Sequence, residues 1–219
     1  MSAIVPEMHA GGLARAERPY QRVVILNGPA GVGKTTTARL LASMVPNGAC
    51  VHGDALKDFV VSRQDGTVRQ GLGYLNGASI VTNFIEGGYD LVVFDYVFEK
   101  PRGLDVFCSG YFGTAPVHLF TLWADLERVI GRERTRPGRE RLGQRVTDCY
   151  RTMEQHLGSL GHVIDTSETS AREVADEILD RCTDGNALLV PPRDGARAAR
   201  TSVGARPCSA DTAHRTRRR

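Results

Sequence analysis

Short apolar, β-branched runs alternate along the chain with segments of helical period. Val23-Val24-Ile25-Leu26 is a run of the kind that forms a strand buried on both faces. It ends in glycines, and a helical pattern follows over 34–44, stopped by Val45-Pro46-Asn47-Gly48. The same reading predicts strands at 49–52, 89–94, 117–122 and 162–164, and helices at 55–62, 70–86, 125–134, 142–157 and 171–182. Strands alternating with helices imply right-handed β-α-β crossovers, hence a parallel sheet covered on both faces. Residues 1–20 show no periodicity and read as a flexible arm, 21–183 as one α/β domain, and 184–219 as a disordered Arg-rich tail with little to bury.

Between the first strand and the first helix lies Gly28-Pro29-Ala30-Gly31-Val32-Gly33-Lys34-Thr35. It matches G-x-x-x-x-G-K-[ST], the P-loop, in the strand-to-helix context that the motif requires. Glycines let successive N–H groups converge on phosphate oxygens, and the helix N-terminus adds its positive dipole end. Gly28 to Thr35, with Thr36 following, are therefore expected to bind the phosphates of a nucleotide. Lys34 would bridge the β- and γ-phosphates, and Thr35 would place its hydroxyl on Mg²⁺.

A phosphate cradle does not separate a kinase from a GTPase or a motor ATPase, so other residues must decide. Asp54 follows the second strand at the carboxyl edge where ligands lie in such sheets. It is suited to accept or orient the proton of an attacking hydroxyl, and equally to cap the helix expected at 55–62. His52 reads as a strand residue rather than a base. Leu91-Val92-Val93-Phe94-Asp95 has the pattern of a Walker B strand; Asp95 suits Mg²⁺ bound through water, or the capping of the next turn.

Composition adds a charge argument. Lys+Arg number 28 and Asp+Glu 25, a net charge of +3. Residues 184–219 carry eight Arg against three Asp, a charge of +5, so the rest of the chain is slightly acidic. Within that remainder Arg128, Arg132, Arg134, Arg136, Arg139, Arg141 and Arg145 gather around Pro137-Gly138. They lack the interleaved aromatics of a single-strand binder. They suit an Arg-rich lid over about 132–142 that folds onto a triphosphate and excludes water, with Arg132 and Arg136 foremost and Arg139 next. The five Cys are scattered without metal-ligand spacing, there is no apolar stretch of signal-peptide length near the start, and nowhere do 18 apolar residues run together. A soluble, cytoplasmic protein without membrane or nucleic-acid partners is expected.

These residues resemble the P-loop small-molecule kinases of the shikimate and gluconate kinase group, and among them the chloramphenicol phosphotransferase-like family. The matching features are Ile25-Leu26-Asn27-Gly28 leading into the P-loop, Gly53-Asp54, Gly131-Arg132-Glu133 with Arg136 and Arg139 following, and Val163-Ile164-Asp165-Thr166 before the last helix. The resemblance implies a three-layer P-loop NTPase fold with a five-stranded parallel sheet, an ATP and Mg²⁺ site, Asp54 as base, an Arg lid, and Asp165-Thr166 near the adenine. It does not carry the acceptor. From position alone, Lys57, Arg63, Tyr74, Asn76 and Tyr96 are where one could lie.

The expected activity is ATP-dependent phosphoryl transfer to a hydroxyl of a small molecule, a metabolite or an antibiotic. Two rivals are a nucleotide-binding regulatory module that transfers nothing and a polynucleotide 5′-kinase. The first lacks an Asn-Lys-x-Asp motif, and only the Arg-rich tail favours the second.

Overall fold

A computed structural model of the protein describes residues 21–61, 71–135, 141–184 and 187–192. Five parallel strands form the sheet in the order β2-β3-β1-β4-β5. They are β1 (Arg22–Asn27), β2 (Gly48–His52), β3 (Leu91–Asp95), β4 (Val117–Trp123) and β5 (His162–Asp165). The helices are α1 (Lys34–Ser43), α2 (Leu72–Glu86), α3 (Pro101–Gly110), α4 (Leu126–Arg134), α5 (Gln144–His156) and α6 (Ala171–Asp184).

The central strands are apolar throughout because both of their faces are covered. Val23 and Ile25 of β1, with Val92 and Phe94 of β3, point to a core shared with α2 and α3. Val24 and Leu26, with Leu91 and Val93, point the other way, to a core shared with α1 and α6. Register then brings the functional ends together. Leu26 pairs with Asp95 on one side and Phe120 on the other, and His52 pairs with Asp95. The carboxyl ends of β1, β2, β3 and β4 thus form one edge, with the P-loop leaving β1 at its centre.

Three local features differ from the sequence reading. No α-helix forms over 55–61: Gly53–Leu56 make a single 3-10 turn and the chain continues in turns to Val60, leaving Phe59 and Val61 largely exposed. Helix α3 has no counterpart in the sequence reading; Gly103 inside it lets Tyr74 of α2 approach, since a Cβ there would lie 3.0 Å from the Tyr74 ring. The third concerns the tail expected from 184. α6 runs to Asp184, and a sixth strand, β6 (Leu188–Val190), lies antiparallel against the first residues of β4. β5 meets β4 only from Phe120 onward, so the start of β4 would otherwise have an open edge, which Ala187 to Val190 cover.

Most of the expected lid, residues 136–140, lies outside the described residues, as do the arm 1–20 and residues 193–219. Among the described residues no helix is long and apolar enough to cross a membrane.

Candidate active site

The P-loop is held by close approach of backbone to backbone. At Gly28 (φ 136°) a Cβ would stand 2.4 Å from the Leu122 carbonyl oxygen, and at Gly31 (φ 90°) 2.4 Å from that of Val129. Only glycine meets both the positive φ and the missing space. Lys34, buried at the start of α1, donates from Nζ to the carbonyls of Gly28 (2.8 Å) and Pro29 (3.0 Å), which draws its ammonium back over the loop. The first turn of α1 contains no acidic residue, so its N-terminus keeps its positive end for an anion.

Thr35 and Asp95 meet at the mouth of this loop. Thr35 Oγ1 donates to Asp95 Oδ2 at 2.7 Å, and Asp95 is buried. A hydroxyl and a carboxylate in contact beside a phosphate cradle are the hard oxygen donors that Mg²⁺ prefers. Among the described residues no cluster of three His, Cys, Asp or Glu could hold a metal by itself. Asp95 receives Thr35 and His52 rather than the backbone of the next turn among the described residues.

On the α6 side, Thr166 is buried and ties three segments together. Its N–H donates to the Trp123 carbonyl at 2.7 Å, and its hydroxyl lies 3.1 Å from that carbonyl and 3.4 Å from the Val32 carbonyl. Arg132 Nη2 donates to the Thr166 carbonyl at 3.0 Å. Val32, Gly33, Thr36, Arg132, Thr166 and Ala171 line a pocket of about 200 Å³ here. Arg132, expected over the phosphates, is bonded to the loop after β5 and lines this pocket together with Gly33 and Thr36 of the P-loop. Asp165 is exposed, and the Ser167 hydrogen bonds, including its N–H to Oδ1 at 2.8 Å, hold its carboxyl below the usual carboxylate value. Arg128 anchors the same loop through Glu168 and the Ser167 carbonyl. Buried Glu133 accepts the Leu142 N–H at 2.7 Å, linking α4 to the approach of α5. Arg136 and Arg139 lie outside the described residues.

On the opposite side of the P-loop, Asp54 sits in the 3-10 turn after β2, where its Oδ1 accepts Lys57 Nζ at 2.9 Å. Lys57 Nζ also lies 5.0 Å from the centroid of the Tyr96 ring. Burial pushes the Lys57 amine down, but Asp54 and Tyr96 outweigh it and leave the amine above its ordinary value. Tyr96 itself packs against Gly53, and Tyr74 meets it edge to face at 5.2 Å while stacking on Phe98 at 4.7 Å. Burial, with Tyr96, Glu99 and Cys149 nearby, pushes the Tyr74 phenol up to about 12. Four of the five positional candidates are described, and three of them, Lys57, Tyr74 and Tyr96, form one cluster with Asp54. Asn76 is half-buried on α2 with no hydrogen bond to another described residue, and Arg63 lies outside the described residues.

The sequence reading gave no role to Asn27. Fully buried at the end of β1, it donates from Nδ2 to the Phe98 carbonyl (3.2 Å) and Thr121 Oγ1 (3.1 Å), and accepts the Phe98 N–H at Oδ1 (2.8 Å). This amide bonds both backbone groups of Phe98 and so fixes the segment that carries Tyr96. The one available signal was a polar residue ending an otherwise apolar strand.

Solved structures share this architecture. The tunicamycin resistance protein of Deinococcus radiodurans superposes with a TM-score of 0.58 at 20% identity, over 78% of this chain and 99% of its own. A gluconokinase from Sinorhizobium meliloti 1021 gives 0.54 at 16% identity, over 77% and 94%. A shikimate kinase from Acinetobacter baumannii, in complex with shikimate, gives 0.51 at 18% identity, over 76% and 96%. The fold is that of the P-loop small-molecule kinases. No family model and no curated protein matches the chain. In this fold the P-loop and Asp95 lie at the centre of the strand edge, with the Thr166 loop on one side and the Asp54 cluster on the other.

Proposed function

We propose that the protein is an ATP-dependent phosphotransferase that moves the γ-phosphate to a hydroxyl of a small molecule. The observation that carries this reading is the convergence on one sheet edge of a phosphate cradle, a Thr35–Asp95 oxygen pair and the Asp54 carboxylate. A switch protein would need the first two but not a third, half-exposed carboxylate beside an aromatic cluster. Lys34 and the P-loop N–H groups bind and orient the phosphates. Thr35, and Asp95 through water, would hold Mg²⁺, which when bound would neutralise phosphate charge. Asp54 orients the acceptor hydroxyl and takes its proton as the new P–O bond forms. Lys57, now paired with Asp54, has to yield that carboxylate to the acceptor. Arg132 closes the side of the nucleotide site next to the Thr166 loop.

The acceptor is a metabolite or an antibiotic. Tunicamycin belongs in the first panel because of the Deinococcus neighbour, beside gluconate, shikimate, sugars and aminocyclitols. The test is ATP consumption over that panel with mass identification of the phosphorylated product. A protein that binds Mg²⁺·ATP yet phosphorylates nothing would favour the switch.

A further inference from the structure

A line of hydrogen bonds leaves the Mg²⁺-side carboxylate and returns to the helix it started from. Asp95 Oδ2 accepts Thr35 Oγ1 at 2.7 Å and lies 3.2 Å from His52 Nδ1. The other ring nitrogen of His52, Nε2, accepts from Arg39 Nε at 3.1 Å. Thr35 and Arg39 are four residues apart on α1, hence on one helix face, and His52 and Asp95 are register partners on β2 and β3. The circuit is therefore built on three neighbouring elements of the core and not on a surface loop.

Its chemistry assigns the imidazole proton. A guanidinium has donors only and keeps its charge in proteins, so Nε2 facing Arg39 must present a lone pair. Cys50 Sγ lies 3.8 Å from the same nitrogen, where a thiol hydrogen would meet the same lone pair. A neutral imidazole with its lone pair at Nε2 carries its hydrogen at Nδ1, the nitrogen that faces Asp95. An imidazolium would instead set two donors against each other at Nε2. His52 therefore donates to Asp95, and both donors converge on Oδ2.

Resting on the kinase reading above, we propose that His52, its tautomer set by Arg39, is a positioning residue that fixes the Asp95 carboxylate for the Mg²⁺ site. Partners of this kind, one step behind a metal-side group, change metal affinity about 10- to 100-fold when removed.

Two measurements test it. In ¹⁵N-histidine protein without nucleotide, long-range ¹H–¹⁵N correlations of His52 should show the Nδ1–H tautomer, and Arg39→Met should shift it toward Nε2–H. Calorimetric titration of Mg²⁺ into the ADP complex, on variants whose melting shows them folded, should separate two substitutions. His52→Asn places an amide donor where Nδ1 was and should keep Mg²⁺ affinity within about threefold. His52→Gln keeps a group toward Arg39 but loses the donor to Asp95, and should weaken Mg²⁺ about 10-fold, with ADP binding in EDTA unmoved. An Nε2–H tautomer in the wild type, or equal Mg²⁺ affinity in the two variants, overturns the proposal. Wild-type protein that binds no ADP at all refutes the kinase reading itself. That result is distinguishable because the tautomer spectrum is taken without nucleotide.

Discussion

At the phosphate end of the cleft, Lys34, Asp95 and Thr166 are each less than a tenth exposed and bonded to the loop, helix or strand end beside them. At the other end the Asp54–Lys57 pair leaves both side chains 47% exposed, on a single 3-10 turn. The first half is made of backbone: glycine approaches of 2.4 Å, a helix N-terminus and strand ends in register. The second is made of side chains, carried by Gly53–Leu56 and by the segment through Tyr96 that Asn27 holds down. A triphosphate is the same in every ATP enzyme and can be met by a fixed backbone shape. An acceptor differs between enzymes, and exposed side chains on a short turn can be exchanged without disturbing the sheet.

The sharpest break in this contrast should come from the donor side. Lys34→Ala removes the charge that faces the phosphates and two bonds that hold the loop, so kcat/KM should fall by about 10³-fold or more, together with weaker ATP binding in calorimetry. Asp54→Asn should cut kcat by about 10²-fold and leave ATP affinity unchanged. The smaller figure is the low end of what a base contributes, because a loose phosphoryl-transfer transition state asks little of the attacking proton. Wild-type turnover in Asp54→Asn would remove it as base. Equal loss of ATP affinity in both variants would erase the division into two halves.

Asn27→Ala probes the joint between them. It strips both backbone groups of Phe98 of their partner in a fully buried place, so stability should drop by about 1–3 kcal/mol in denaturant titration. Because Tyr96 rides on the freed segment, KM for the acceptor should rise several-fold while KM for ATP stays near wild type. A rise confined to ATP would place Asn27 on the donor side instead.

How much of this was legible from the residues follows the same divide. The P-loop and the apolar runs of β1, β3 and β4 announce themselves, since glycine spacing and uninterrupted burial are properties of the backbone path. Thr35, in the first turn of α1, and Asp95, at the end of β3, come into hydrogen-bond contact, which their separate motifs alone did not state. Helix α3 did not announce itself, because Pro101, Gly103 and Gly110 read as breakers, while Gly103 is there to admit Tyr74. The helix expected at 55–62 failed over its described part for the opposite reason: beyond Leu56, which is buried, Phe59 and Val61 have nothing to pack on. Strand β6 is three residues long in an Arg- and Pro-rich context, too short for any period to show. Arg132 could not be placed, because whether an arginine on α4 reaches phosphate or the Thr166 carbonyl depends on how α4 sits against β5.

The smallest expected effect tests whether the acceptor half really depends so little on the fold. Lys57→Gln removes an ion pair between two half-exposed groups, and such pairs contribute little once water screens them, so the melting temperature should hardly move. What stability the pair does give has a definite pH signature. The Lys57 amine stands above its ordinary 10.5 in the folded chain, so the contribution is complete below that pH and fades as pH rises past it. Wild type and Lys57→Gln should therefore differ slightly at pH 7 and converge in alkali. In turnover the variant should show a changed KM for the acceptor with kcat held within a few-fold, because Lys57 touches the carboxylate proposed to receive the hydroxyl and not the P-loop. A large loss of stability would mean that the turn after β2 is part of the core framework, and that the two ends of the cleft are less different than their exposure suggests.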